Sequence, residues 1–199
     1  MIKTIIFDID GMIIKREMYF SQYYSQKFKV PIEKMLPFYN NKFQLCLIGK
    51  ADLKKEIAKY LNQWKWKKSV DDFLLLWFKY ESNLDNKVLE SIKKLRKKKI
   101  NCYIGTDNEK YRVNYLLNNL KLAKYFDGIF ASSKIGYQKS QQEFWSQVYK
   151  SLKQPNKSEI LFWDDDPKNV KSAQDFGFNA KVYTNFSDYE NKIKLLINI

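Results

Sequence analysis

Two carboxylates separated by one residue stand directly after the first apolar run of the chain. Asp8 and Asp10 follow the run from Ile2 to Phe7, and alternate side chains of a strand point to the same side. Gly11 comes next and allows a sharp backbone turn. The pattern predicts paired carboxylates at the tip of a buried strand, where open α/β sheets bind ligands. Such a pair can supply a nucleophile and an acid–base group.

Further reactive groups follow the other apolar runs that are typical of strands. Thr106 ends the second run, Lys134 or Lys139 follows the third, and Asp164 and Asp165 end the fourth. Because a doubly wound sheet brings these ends into one crevice, we expect them to meet. Clustered carboxylates favour a hard cation such as Mg²⁺. A cation, a hydroxyl and a lysine together could surround a phosphoryl group.

The residues that are missing or rare exclude several other chemistries. The chain has no histidine, which excludes Ser-His-Asp and Cys-His catalysis and the common zinc sites. Cys46 and Cys102 lie far apart in apolar surroundings, so we expect two reduced core residues rather than a disulfide.

Strand patterns alternate with helix patterns, which indicates an α/β fold with a Rossmann-like parallel sheet. We predict strands at 3–8, 101–105, 128–132, 159–163 and 179–183, and helices at 86–98, 109–120, 142–152, 167–176 and 187–197. Residues 15–84 show helical patterns alone, at 18–29, 31–39, 52–64 and 70–81. We therefore predict an α/β core of residues 1–14 and 85–199 with an inserted all-helical cap subdomain of residues 15–84.

The charge and the N-terminus bear on partners and location. The chain carries 36 Lys and Arg against 22 Asp and Glu, a net charge of +14. The lysines are scattered and arginine occurs only at Arg16, Arg96 and Arg112, so the pattern favours a solvated surface over nucleic-acid binding. No apolar run is long enough to span a bilayer, and Asp8 and Asp10 interrupt the N-terminal run. We expect no membrane partner and a cytoplasmic location.

Four stretches in order resemble the motifs of the haloacid dehalogenase-like hydrolase superfamily, whose members use an aspartate nucleophile. The stretches are FDIDGM, CYIGTDN, KYFDGIFASSKIGYQKSQQEFW and ILFWDDDPKNVKSAQDFGFNA. The helical insert between the first two resembles the cap that the family carries there. The resemblance covers nearly the whole chain and implies the same α/β core and cap.

The resemblance implies roles for the paired carboxylates and for the phosphate site. Asp8 would be the nucleophile, and Asp10 would protonate the leaving group and then deprotonate water. Thr106, Asp107 and Lys139 lie at the phosphate-binding positions, with Lys139 rather than Lys134 chosen because it follows Gly136. Asn is common where this chain has Asp107, and a carboxylate there could repel phosphate or contact a substrate hydroxyl.

The resemblance also implies a Mg²⁺ site. Its ligands would be the Asp8 carboxylate, the Asp10 backbone carbonyl and Asp165. Asp164 would help through a water molecule or by contacting a ligand residue rather than the ion. Two residues near this loop have simpler explanations. Asp166 is expected to cap the helix that starts at Pro167, and Asn169 either steadies the acidic loop or lies at the surface.

The second carboxylate favours phosphate chemistry within the family. The 2-haloacid dehalogenases lack the residue that matches Asp10 and need no metal, so we expect a phosphatase acting on a small phosphorylated metabolite. A sugar-phosphate mutase is an alternative, and so is a non-catalytic, nucleic-acid-associated basic protein. The cap would select among sugar phosphates, nucleotides and flavin mononucleotide, and its candidate contacts are Tyr19, Tyr23, Phe43 and Lys50. The sequence leaves the oligomeric state open.

Overall fold

In the computed structural model, which describes residues 1–197, a five-stranded parallel sheet forms the centre of the protein. The strands are β1 (Thr4–Phe7), β2 (Asn101–Thr106), β3 (Gly128–Ala131), β4 (Ile160–Asp164) and β5 (Asn179–Val182). Their order across the sheet is β3-β2-β1-β4-β5. The strand order reverses between β1 and β4, which is the place where open α/β sheets bind ligands. The predicted α/β class is confirmed.

The segment between β1 and the next core helix is helical. It contains α1 (Phe20–Phe28), α2 (Phe43–Leu47), α3 (Leu53–Leu61) and α4 (Val70–Tyr80). Its apolar side chains form a cluster rich in aromatic rings, with Phe20 stacked on Trp77 at a centroid distance of 5.5 Å. The helical insert therefore has a core of its own, which Tyr111 and Tyr115 of the α/β part join at its edge.

Outside the insert, the described part of the chain forms six α-helices. They are α5 (Asn86–Lys97), α6 (Lys110–Asn114), α7 (Ser132–Ile135), α8 (Gln142–Ser151), α9 (Pro167–Asp175) and α10 (Phe186–Leu196). Alternate residues of β1 face opposite layers: Ile5 and Phe7 pack with α5 and α10, and Ile6 packs with α8 and α9. Because both faces of the sheet are buried, β1 is apolar throughout rather than alternating.

The predicted helix at 31–39 is wrong. The chain forms a short 3₁₀ turn over Ile32–Lys34, and a helix then runs through a π-helical segment, Phe38–Lys42, into α2. Pro37 explains the shift, because proline lacks an N–H and fits the first turn of a helix. Residues 36–47 thus form the second helix of the insert, and Gly49, with a φ of +70°, follows its end.

Two adjacent connections join the helical insert to the sheet. The Lys15 N–H donates to the Asn83 carbonyl at 2.9 Å, and the Asp85 N–H donates to the Ile13 carbonyl at 2.8 Å. The connections run antiparallel, with Ile14 bridged to Leu84. They lie at the limits that we predicted for the cap, and the division into two subdomains stays a prediction. Among residues 1–197, no helix combines the length and the apolar character needed to cross a membrane.

Candidate active site

The register of the sheet brings the predicted site residues to one edge. Phe7 of β1 pairs with Ile104 of β2 and with Trp163 of β4. Asp8 therefore follows β1 beside the end of β4 at Asp164, and Thr106 ends β2 on the other side. Asp8, Thr106 and Asp164 are all buried, at 4%, 1% and 0% exposure. The carboxyl edge of the sheet thus carries acidic and hydroxyl groups that water hardly reaches.

Lys139 lies between two of these carboxylates. Its Nζ contacts Asp8 Oδ1 and lies 2.7 Å from Asp164 Oδ2. Burial alone would lower the pKa of Lys139, but the charges of Asp8 and Asp164 outweigh it and raise that pKa. Burial raises the pKa of Asp8 well above its ordinary value, although the Lys139 cation opposes this. The two carboxylates therefore favour the charged form of Lys139, which lies directly against the predicted nucleophile.

The loop that carries Lys139 is fixed on both sides. Asp107 Oδ1 accepts a hydrogen bond from the Lys139 N–H at 3.0 Å, and Trp145 Nε1 donates to the Lys139 carbonyl at 2.8 Å. Lys134, the alternative in the sequence, is exposed on α7. The observed contact of Asp107 is thus with the lysine loop, and its role in phosphate binding stays a prediction.

The acidic loop after β4 is organised around Asp164. Asp164 Oδ1 accepts from the Asp166 N–H at 2.7 Å, and Asp164 Oδ2 accepts from Asn169 Nδ2 at 3.1 Å as well as from Lys139. Asn169 therefore steadies the loop. Asp166 caps α9 by accepting from the Lys168 N–H at 2.8 Å, as predicted. Asp165 lies in the wall of a cavity between this edge of the sheet and the helical insert.

The donor set at this edge fits a hard cation. One carboxylate oxygen each from Asp8, Asp164 and Asp165 lies within 4.8 Å of the others. The guanidinium of Arg16 lies on the same side: its Nη2 donates to the Asp10 carbonyl at 2.7 Å and is 3.7 Å from Asp165 Oδ2. A positive group thus already contacts two of the predicted metal ligands. Oxygen donors without histidine or thiolate suit Mg²⁺.

Asp10 is fixed by Asn108, a residue that the sequence analysis missed. Asn108 Nδ2 donates to Asp10 Oδ2 and to Thr106 Oγ1, both at 2.7 Å. The family commonly has Asn at the position of Asp107. This chain has an Asn one position later, at Asn108, and that neighbouring amide was the signal in the sequence. The amide orients the carboxylate of Asp10 and the hydroxyl of Thr106 together. Arg16 and Arg112, which also contact Asp10, were missed as well.

One cavity of about 890 Å³ joins this edge to the helical insert. Asp8, Asp10, Thr106 and Lys139 line one end, and aromatic residues of the insert line the other. Two of the predicted cap contacts, Tyr19 and Phe43, are among its walls. The other two lie outside it: Tyr23 stacks on Tyr80 at a centroid distance of 4.0 Å, and Lys50 is exposed. The volume suits a small organic molecule.

Glu109 caps α6 beside the cavity, and its raised pKa predicts how the stability of the fold depends on pH. Burial raises its pKa to about 7 from an ordinary 4.5, so the folded chain keeps a proton that the unfolded chain releases above pH 4.5. The contribution of Glu109 to stability is complete below pH 4.5 and is lost as the pH rises to about 7. The free energy of unfolding of the wild type, relative to Glu109→Gln, should fall by on the order of 3 kcal/mol across this window.

Urea unfolding of both proteins from pH 4.5 to pH 7.5 measures this difference. Glu143→Gln, an exposed substitution on α8, serves as the control. A difference between wild type and Glu109→Gln that stays constant with pH would contradict the assignment.

Comparisons with known proteins identify the family. A family model described as haloacid dehalogenase-like hydrolase matches residues 5–182. No curated protein sequence is detectably similar to this chain. Among solved structures, an enzyme of this family from Bacteroides thetaiotaomicron has a TM-score of 0.83 and 18% identity, and the match covers 96% of this chain and 98% of that one.

Two further solved structures show the same fold. A predicted hydrolase of the family from Porphyromonas gingivalis has a TM-score of 0.80 at 18% identity, covering 100% of this chain and 99% of that one. The L-2-haloacid dehalogenase of Xanthobacter autotrophicus has a TM-score of 0.65 at 16% identity, covering 100% of this chain and 84% of that one. These similarities show the fold, and the family match spans most of the sequence. The chain therefore belongs to the haloacid dehalogenase-like hydrolase family.

Proposed function

We propose that this protein is a Mg²⁺-dependent phosphatase that hydrolyses a small phosphate monoester through an aspartyl-phosphate on Asp8. The observation that carries the proposal is the second carboxylate: Asp10 lies in the same cavity as Asp8 and is oriented by Asn108 at 2.7 Å. Removal of a halide needs no proton donor for the leaving group, whereas departure of an alkoxide does. An oriented acid next to the nucleophile therefore favours ester cleavage.

The residues divide the reaction into two displacements at phosphorus. An Asp8 oxygen attacks phosphorus, the bond to the leaving oxygen breaks, and Asp10 gives that oxygen its proton. Asp10 then takes a proton from water, whose oxygen attacks the phosphorus of the aspartyl-phosphate. The bond from phosphorus to Asp8 breaks, which releases inorganic phosphate and restores the Asp8 carboxylate. Lys139 offsets the negative charge of the phosphoryl oxygens, and Thr106 donates a hydrogen bond to one of them.

The acidic edge would hold the metal ion. The Asp8 carboxylate, the Asp10 carbonyl and Asp165 are the proposed ligands, with Asp164 supporting them while it binds Lys139. Mg²⁺ bound there would offset the negative charge that gathers on the phosphoryl oxygens. Support comes from the enzyme of Bacteroides thetaiotaomicron, which has been solved as a complex with magnesium and inorganic phosphate.

A substrate panel tests the proposal against the other reactions of the family. Purified protein with Mg²⁺ should release inorganic phosphate from p-nitrophenyl phosphate and from some sugar phosphates or nucleotides, and EDTA should abolish the release. Loss of a sugar phosphate without free phosphate would indicate a mutase instead. Halide release from 2-chloropropionate without phosphatase activity would contradict the proposal.

Asp10→Asn is expected to separate turnover from metal binding. Asn cannot transfer the proton, so kcat should fall by about 10²–10⁴-fold. The proposed metal ligand at this position is the backbone carbonyl, which remains, so the Kd for Mg²⁺ should stay close to that of the wild type. Steady-state kinetics and calorimetry measure the two quantities. A near-normal kcat would show that Asp10 is not the acid–base group.

Gly11→Ala is expected to weaken Mg²⁺ binding. Gly11 has a φ of +102°, and a Cβ there would collide with the Asp165 carboxylate. The carboxylate would have to move, and the Mg²⁺ affinity should fall by about tenfold or more, as when other supports of a metal ligand are changed. Gly136→Ala is the matched control, because its φ is +90° but its Cβ would point into open space.

Both alanine variants share the cost of a left-handed residue, about 1–2 kcal/mol. Calorimetric titration with Mg²⁺ should show the loss of affinity in Gly11→Ala alone, because a Cβ at Gly136 would not contact Asp165. Equal Mg²⁺ affinities in the two variants would rule out Asp165 as a ligand displaced by the new methyl group.

A further inference from the structure

Two of the three arginines in the chain converge on Asp10. Arg16 Nη2 donates to the Asp10 carbonyl at 2.7 Å, and Arg112 Nη2 lies 3.5 Å from Asp10 Oδ1. Arg16 belongs to the connection that enters the helical insert, and Arg112 belongs to α6 of the α/β part. Arg112 is the one that touches the carboxylate, and its side chain is only 4% exposed.

The Arg112 guanidinium also donates hydrogen bonds to the end of α4. Its Nη1 donates to the Phe78 carbonyl at 3.0 Å, and its Nη2 donates to the Glu81 carbonyl. The last carbonyls of a helix lack partners within the helix and carry the negative end of its dipole. A buried guanidinium satisfies them and is itself stabilised by them. Arg112 therefore links Asp10 to the last turn of the helical insert.

Glu81 extends this link to the start of the insert. Its side chain accepts hydrogen bonds from the Phe20 N–H at 3.2 Å and from Trp77 Nε1 at 2.8 Å. Phe20 is the first residue of α1, so the beginning of α1 and the end of α4 meet at Glu81. Glu81, Arg112 and Asp10 all line the same cavity. A shift of either helix end would thus displace the Arg112 guanidinium.

We propose that Arg112 is a positioning residue that fixes the Asp10 carboxylate relative to the end of α4, so that the placement of the helical insert sets the geometry of proton transfer. The proposal rests on the proposed function of Asp10. The planar fork of arginine explains the choice of residue, because it reaches two carbonyls and a carboxylate at once, which the single ammonium of lysine does less well.

Leaving-group dependence tests this role. p-Nitrophenolate departs without a proton, whereas an alkoxide needs one from Asp10. In Arg112→Met, kcat/KM for an alkyl phosphate should fall by about tenfold or more, and kcat/KM for p-nitrophenyl phosphate should stay close to that of the wild type. Arg96→Met is the matched control, because Arg96 also binds a carbonyl and a carboxylate, those of Lys124 and Asp127, on the α5 side. Equal losses on both substrates would indicate a merely structural role and overturn the proposal.

Hydrogen exchange separates failure of this proposal from failure of the phosphatase assignment. Arg112→Met should speed amide exchange in residues 9–14 and in residues 78–84 together, and Arg96→Met should change neither segment. If neither segment changes in Arg112→Met, the link is absent and the proposal fails whatever the activity. If both segments change but the wild type hydrolyses no phosphate monoester, the link stands and the proposed function fails.

Discussion

Asp8→Asn is expected to lower kcat for every phosphate monoester by at least about 10⁴-fold, since loss of a nucleophile can cost about 10⁶-fold in covalent mechanisms. Asn has nearly the shape of Asp but cannot form an acyl-phosphate bond. The fold should survive, because Lys139 keeps its contact with Asp164 at 2.7 Å. The expected result is a folded protein without turnover.

The comparison of Asp8→Asn with Asp10→Asn sharpens this expectation. Asp10→Asn should still accept a phosphoryl group from a substrate with a good leaving group, whereas Asp8→Asn should not. Circular dichroism confirms folding of both variants, and rapid-quench kinetics with p-nitrophenyl phosphate measures a burst of p-nitrophenol. A burst in Asp8→Asn would place the nucleophile elsewhere.

Lys139→Met is expected to have the largest effect on stability. Its ammonium lies between the buried carboxylates of Asp8 and Asp164, and methionine would leave their charges uncompensated. Breaking a buried ion pair from one side costs about 3–5 kcal/mol, so the free energy of unfolding near pH 7 should fall by about that amount. The loss should shrink as the pH falls, because protonation removes the unpaired charges.

Two further variants isolate the cause of that loss. Lys134→Met changes an exposed lysine of α7 and should alter stability by less than about 0.5 kcal/mol. The double variant Lys139→Met/Asp8→Asn removes one of the two carboxylates and should be more stable than Lys139→Met alone. Urea unfolding measures all three. A double variant less stable than Lys139→Met would show that packing, rather than charge, accounts for the effect.

The parts of the molecule that follow from short stretches of sequence could be predicted. Apolar runs such as Ile160–Trp163 are strands because both faces of the sheet are buried, and their polar ends meet because the strands are parallel. Asp8 and Asp164 could be placed at one edge on this ground. The helix at 31–39 failed because Pro37 fits the first turn of a helix better than its last.

Contacts between distant elements could not be predicted. Asn108 and Arg112 look like ordinary polar residues after a strand and within a helix, and their partners at Asp10 are about a hundred residues away. The burial that raises the pKa of Glu109 to about 7 also depends on packing that no local pattern shows. The residues that support the predicted site residues could therefore be identified only from the structure.

Trapping the phosphoryl group on the enzyme tests directly whether Asp8 is the nucleophile. Asp10→Asn is mixed with Mg²⁺ and p-nitrophenyl phosphate, quenched in acid, reduced with borohydride and digested, and the peptide that contains residues 5–14 is sequenced by mass spectrometry. We expect Asp8 alone to be converted to homoserine, which would mark it as the phosphorylated residue. Conversion of another carboxylate to the alcohol would contradict Asp8 as the nucleophile. The absence of any converted residue, when the wild type hydrolyses the same substrate, would contradict it as well.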